Sequence, residues 1–416
     1  MNDSAATPGR TPSTTSAPGW RDVGRRITQG PVLTSVLAVV IALLVGAVLI
    51  AAADSQVQAA AAYLFARPGD FFAAVGGKVA GAYAALFEGA GLNISGSHSA
   101  GEFFRPLTAT IGQSVPLIFA GLGLGIGFRA GLFNIGGQGQ IIMGAILCGY
   151  VGFAWHLPAG LHLVACVVAA LLGGAAWGFI PGILKAKTGA NEVIVTIMLN
   201  AVAGFFLSWV LTHRAFEKPG SNNPVSPVVA ASARYPGLFG TNANLGFLLA
   251  LAAAVGVWWL MERSTLGFAI RAVGANPAAA RTAGLSVARA TVWTMVLAGG
   301  LAGLAATSQL LSSPSQQLNG NIAGTFGFDA ITVALLGRSK PQGIVGAGLL
   351  FGGLKAGGYL MQSRTGTPID VVLVLQSLIV LLIAAPPLVR ALFRLPDPSR
   401  RRPTRRGRAR VAEAAA

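Results

Sequence analysis

The sequence predicts an all-α, polytopic membrane protein with about ten transmembrane helices. Three observations carry this. Of 416 residues, 53% are hydrophobic and only 10% charged, against about 25% charged in soluble domains. Apolar runs of about 20 residues, the length that crosses a bilayer as helix, recur through most of the chain, and the mean hydropathy is +0.65. Lys and Arg also gather on alternate connections, as expected where basic loops resist translocation.

Taken in order, the predicted spans are 33–53, 106–127, 135–155, 160–184, 191–212, 244–262, 289–311, 320–337, 343–361 and 369–390. The core at 32–53 is too long for a signal-peptide h-region and lacks an A-x-A-like exit, so it reads as a first anchor. Residues 1–31 form a basic tail rich in Ser, Thr and Pro, and 393–416 an Arg-rich one. Neither holds enough apolar residues to pack, so both are expected to be disordered. The body is then 32–392, with a polar extracytoplasmic excursion at 54–105. With both termini inside, 22 Lys and Arg fall on the cytoplasmic side, 7 outside, and Lys355 within a span. This asymmetry predicts that both tails lie on the cytoplasmic side.

The net charge of +17 needs no nucleic-acid partner. "RRRPTRRGRAR", 400–410, follows a membrane span, where it retains the tail inside and meets anionic lipid headgroups. Cys148 and Cys166 fall in apolar runs and read as small buried hydrophobes, with no metal-ligand spacing.

"GLFNIGGQGQIIMGAI", 131–146, is glycine-rich, but it lacks the strand and soluble βαβ unit of a dinucleotide fingerprint. No G-x-x-x-x-G-K-[ST] occurs anywhere. Glycines beside Asn134, Gln138 and Gln140 instead suggest an interrupted helix lining a cavity; close packing through small residues explains the glycines equally. In "NEVIVTIMLN", Glu192, Thr196 and Asn200 recur every four residues and form one helical stripe. Glu192 reads either as a substrate contact or as a helix-start acid favoured by the dipole. In "FGFDAITVALLG", Asp329 and Thr332 share a face of a weak, glycine-broken span. Polar groups at such breaks are pointers to a substrate pathway.

The loop 263–289, "RSTLGFAIRAVGANPAAARTAGLSVAR", carries the sharpest signal. Asn276 suits an N-cap, Pro277 the first helical position, and Gly284 the stop. The result is a short helix with a small-residue surface, including Ala279 and Ala280 and flanked by Arg271 and Arg281. It looks built to dock into a partner.

Together, "GLFNIGGQGQIIMGAI", "GANEVIVTIMLN", "STLGFAIRAVGANPAAARTAGLS" and "FGFDAITVALLGRSKPQGIVGAG" resemble the permease subunit of a binding-protein-dependent ABC importer. The branch is the ribose-permease-like one for simple sugars and nucleosides, and the similarity is greatest to nucleoside permeases. It covers roughly 106–392 and omits both tails. The resemblance implies a transport subunit without catalytic residues, cofactor or metal of its own. ATP and Mg would bind a separate ATPase, docked on Arg271, Asn276, Pro277, Ala279, Ala280, Arg281 and Gly284. It also implies a second permease, identical or not, and an extracytoplasmic binding protein or lipoprotein. Two alternatives differ in residues. An ion-coupled secondary transporter would carry several intramembrane acids or histidines. An embedded enzyme needs a catalytic constellation, and His98, His156, His162 and His213 stand apart near the outer face.

Overall fold

The computed structural model describes residues 31–92, 100–221, 223–237, 244–312, 316–385, 388–389 and 392–393. Nearly all of both basic tails, and His98, lie outside these residues. The described residues fall into two compact units, one of residues 44–380 and a smaller one drawn from residues before 44 and after 380.

The regular structure is helical. In chain order the helices are α1 (Pro31–Ala53), α2 (Ser55–Ala61), α3 (Pro68–Ala90), α4 (Ala100–Arg129), α5 (Gly137–Ala154), α6 (Leu161–Thr188) and α7 (Glu192–Leu211). There follow α8 (Leu245–Arg263), α9 (Thr265–Ala275), α10 (Pro277–Thr282), α11 (Val287–Leu311), α12 (Phe326–Leu336), α13 (Pro341–Thr365) and α14 (Asp370–Ala384). Among the described residues seven helices, α4 to α8, α11 and α13, are long and apolar enough to cross a bilayer, or eight if α1 and α2, bent by 80°, form one broken span. Two expected spans are shorter. The 320–337 span contains the 11-residue α12 and the 369–390 span the 15-residue α14. At 1.5 Å per residue α12 reaches about 16 Å, roughly half a hydrocarbon core.

Local chemistry sets several helix starts. The side chains of Asn191, Asn244, Ser264, Asn276 and Ser286 accept backbone N–H bonds at the first turns of α7, α8, α9, α10 and α11. These are the residue types that best satisfy a helix's unpaired N-terminal donors. Asp54 does the same for α2, and also pairs with Lys78 of α3 at 2.5 Å.

Within the 44–380 unit, α11 is surrounded by α4, α5 and α6, and α13 packs along α3 and α4. The central helices α4, α5, α11 and α13 are mostly buried, whereas α6, α7 and α8 bury only a minority of their residues and are the more exposed set. The exposed helices are also the most apolar, the arrangement expected where the surrounding solvent is lipid. Glycine lets α11 approach its neighbours closely. A Cβ on Gly299 of α11 would lie 2.3 Å from the Gly174 carbonyl oxygen of α6, so only hydrogen fits at that crossing.

The 54–105 excursion contains α2 and α3. Helix α3 is too rich in Ala and Gly to read as a span, yet it lies against α13: a Cβ on Gly357 would sit 2.1 Å from the Leu86 carbonyl oxygen.

Candidate functional site

Between α4 and α5 the backbone leaves the helix over 130–136 and turns back into the bundle. Buried irregular backbone needs partners for its N–H and C=O groups. The stripe on α7 supplies them. The Glu192 carboxylate accepts from the Phe133 N–H at 3.4 Å and pairs with Lys185 at 2.6 Å. Thr196 Oγ1, fully buried, accepts from the Ile135 N–H at 3.3 Å and donates to the Glu192 carbonyl at 2.7 Å. Asn200 Nδ2 donates to the Ile135 carbonyl at 2.9 Å, and its Oδ1 accepts from the Gly139 N–H at 2.8 Å. Asn134 folds inward: its Oδ1 accepts from the Gly136 N–H at 2.8 Å, and its Nδ2 donates to Gln140 Oε1 at 3.1 Å. Five residues read as pathway candidates therefore clamp an interrupted backbone.

Asn200→Ala removes both bonds that hold the entry into α5. Leaving the Ile135 carbonyl and Gly139 N–H unpaired should cost about 1–3 kcal/mol each. A thermal midpoint in detergent at least several degrees below the parent's is the expected result; an unchanged midpoint would make the clamp dispensable.

Gln138 ties this segment to the second break. Its Nε2 donates to the Gly324 carbonyl at 2.6 Å, and its Oε1 accepts from the Gly327 N–H at 3.2 Å. The first turns of α5 and α12 touch there, since a Cβ on Gly327 would fall 2.4 Å from the Gln138 nitrogen. Residues 311 and 339 lie at opposite ends of the bundle: the Leu311 carbonyl bonds to Tyr235, and the Ser339 carbonyl to Arg129, where α4 ends. The chain thus passes between the two ends through irregular backbone at 316–325 and only the short α12.

At the start of α12 the structure assembles a charged cluster. Lys355 Nζ of α13 lies 2.7 Å from Asp329 Oδ2, donates to Thr325 Oγ1 at 2.8 Å, and sits 4.5 Å from the centre of the Phe326 ring. Thr325 Oγ1 also donates to Asp329 Oδ2 at 2.7 Å. Thr332 instead bonds to the Asp329 carbonyl, one turn back on α12, at 2.6 Å. The sequence reading located Lys355 in a span without a partner; the available signal was that a cation and an acid at membrane depth must find each other. It also missed Trp177, whose buried indole nitrogen has no protein partner and would lie 2.9 Å from a Cβ on Gly139.

In the loop after α8, the capping chemistry reads as expected. Asn276 Oδ1 accepts from the Ala278 and Ala279 N–H groups, both at 3.0 Å, Pro277 occupies the first turn of α10, and Gly284 takes φ +81°. Ala279, Arg281 and Gly284 are exposed. Two of the expected docking residues also make contacts within the chain. Ala280 is buried against Val273 and Ala290, and Arg271 pairs with Glu262 at 2.9 Å. The Glu262 carboxylate also holds Arg129 at 2.9 Å.

The family model described as branched-chain amino acid transport system / permease component matches residues 107–384. The chain belongs to this family. The permease is 37% identical over 315 residues to the guanosine ABC transporter permease protein NupP of Bacillus subtilis (strain 168), covering 74% of this chain and 87% of that one. It is 34% identical over 289 residues to the glucose ABC transporter permease protein TsgB13 of Haloferax volcanii, covering 67% and 75%. Over 290 residues it is 33% identical to the nucleoside ABC transporter permease protein NupB of Lactococcus lactis subsp. cremoris, covering 67% and 79%. No solved structure matches the chain. The resemblance read from four motifs is borne out, and the matched residues nearly coincide with the expected 106–392. The chain is a membrane transport subunit rather than an enzyme.

Proposed function

We propose that this permease imports neutral, hydroxyl-rich solutes, nucleosides or related simple sugars, in a complex with a separate ATPase, a second permease and an extracytoplasmic binding protein. The similarity to guanosine and nucleoside permeases over most of the chain carries this reading. The site's electrostatics agree with a neutral cargo. Helix N-termini inside a membrane attract anions when their N–H groups are open. Here Asn200 takes the Gly139 N–H and Gln138 takes the Gly327 N–H, while Asp329 and Lys355 balance each other. Amides and hydroxyls remain the natural partners for sugar hydroxyls, supplied at the two breaks by Asn134, Gln138, Gln140, Thr196, Asn200 and Thr332, beside the Asp329 carboxylate.

The exposed face of α10, with Ala279 and Arg281, is the surface that would enter the ATPase. ATP binding there would move the 263–289 loop and tilt the spans attached to it.

Cells with and without the gene should differ in uptake of radiolabelled guanosine, uridine, ribose or glucose. Equal uptake of all four would overturn the substrate class.

The basic-residue asymmetry supports a cytoplasmic position for both termini. A phosphatase that is active only outside, fused after Ala416, should give background activity. High activity would reverse the orientation.

A further inference from the structure

Lys355 is a buried ammonium on a helix otherwise shaped for close packing, with about 9% of its surface exposed. Taking such a charge into the bundle is costly unless it is paired. Its three contacts all fall within a single turn at the start of α12: the Asp329 carboxylate, the Thr325 hydroxyl and the face of Phe326. Thr325 is also the residue from which α12 departs, since its carbonyl accepts from the Phe328 and Asp329 N–H groups. On the opposite side, Gln138 holds the Gly324 carbonyl and the Gly327 N–H. The start of this half-helix therefore hangs between α13 and α5, with the charged contact on one side and neutral amide bonds on the other.

We propose that Lys355 is a positioning residue for transport: by closing on Asp329 and Thr325 it fixes where α12 begins, and through Gln138 the meeting of the first turns of α5 and α12. The proposal rests on the reading that the two chain breaks belong to the solute's path. The contact is directional and can open without breaking a helix. That makes it suited to an element that must be held in one arrangement and released in another. Arginine can keep the charge and the hydrogen bonds, whereas methionine keeps only the bulk of the stem.

The test uses the permease assembled with its ATPase, partner permease and binding protein in proteoliposomes. Lys355→Met alone leaves an unpaired buried acid. Asp329→Asn with Lys355→Met removes both charges, a change that packed interiors often tolerate. The double variant should assemble with a thermal midpoint within about 3 °C of the parent. Its maximal import rate should nonetheless fall about tenfold or more, as expected for lost positioning, with the half-saturating binding-protein concentration unchanged. Lys355→Arg and the exchanged pair, Asp329→Lys with Lys355→Asp, should recover a substantial part of the rate. If the neutral double variant imports like the parent, or if the exchanged pair assembles but stays inert, the proposal is overturned. A parent complex that imports no nucleoside or sugar would sink the substrate reading instead. The positioning role would then be decided by ATP hydrolysis stimulated by the binding protein, which should fall in the neutral double variant and recover in the exchanged pair.

Discussion

Gly299→Leu should leave little correctly folded permease in the membrane. The first added carbon would meet the Gly174 carbonyl oxygen at 2.3 Å and the Gly178 Cα at 3.0 Å. Both obstacles are backbone of α6, so no rotamer change relieves them; the two helices must separate. Overpacking with side-chain neighbours typically costs about 1–3 kcal/mol. Here separation also opens the contact between α6 and the central α11, so the cost should exceed that range. Against a net stability of about 5–15 kcal/mol, such a loss removes much of the folded population. Gly204→Leu on α7 is the control, because nothing lies within 4 Å of its would-be Cβ. Size-exclusion profiles of detergent extracts should show a normal peak for Gly204→Leu and a collapsed one for Gly299→Leu. A Gly299→Leu protein with the parent's profile and thermal midpoint would show that the crossing is looser than described.

The second large effect concerns α10. Ala279→Trp should abolish communication with the ATPase while leaving the permease itself intact. Ala279 is exposed, so an indole there disturbs nothing within the chain and clashes only with whatever receives the helix. If that overpacking costs about 1–3 kcal/mol, ATPase affinity falls by roughly 5- to 150-fold. Ala280→Trp behaves differently. Ala280 is buried against Val273 and Ala290, so the variant should lower the permease's own thermal midpoint whether or not a partner is present. Gly284→Val must hold a β-branched residue at φ +81°, which should disturb the exit from α10. The readouts are co-purification of a tagged ATPase and hydrolysis stimulated by loaded binding protein. Parental values in Ala279→Trp would make the loop a passive connector.

What the sequence disclosed, and what it withheld, divides by range. The start of α10 was legible because Asn276, Pro277 and the two N–H groups that Asn276 caps lie within four residues of each other. The α7 stripe was legible too, as periodicity alone aligns Glu192, Thr196 and Asn200. Their partners were not. Polar residues at membrane depth suggest a ligand, yet here they bond to backbone at 133–139, which only the tertiary fold brings near. Asp329 and Lys355 stand 26 residues apart on different helices, so neither spacing nor composition could pair them. Helix α3 escaped notice because close packing of Ala and Gly depends on shape, to which hydropathy is blind. The burial of Ala280 was hidden for a related reason: in a six-residue helix, small residues look alike until the fold separates them.

The Glu262 carboxylate has a mechanical consequence. By gripping Arg129 and Arg271 at once, it splices the ends of α4, α8 and α9. Arg129 extends the splice to Ser339, just ahead of α13. Gly274 and Gly267 seat α9 directly on the backbone at 129–130 and 260–261. The loop is therefore a stiff lever rather than a tether. A partner pushing on α10 would find little slack to take up, and the push would reach the longest and most deeply buried helix as displacement, not as bending of the connection.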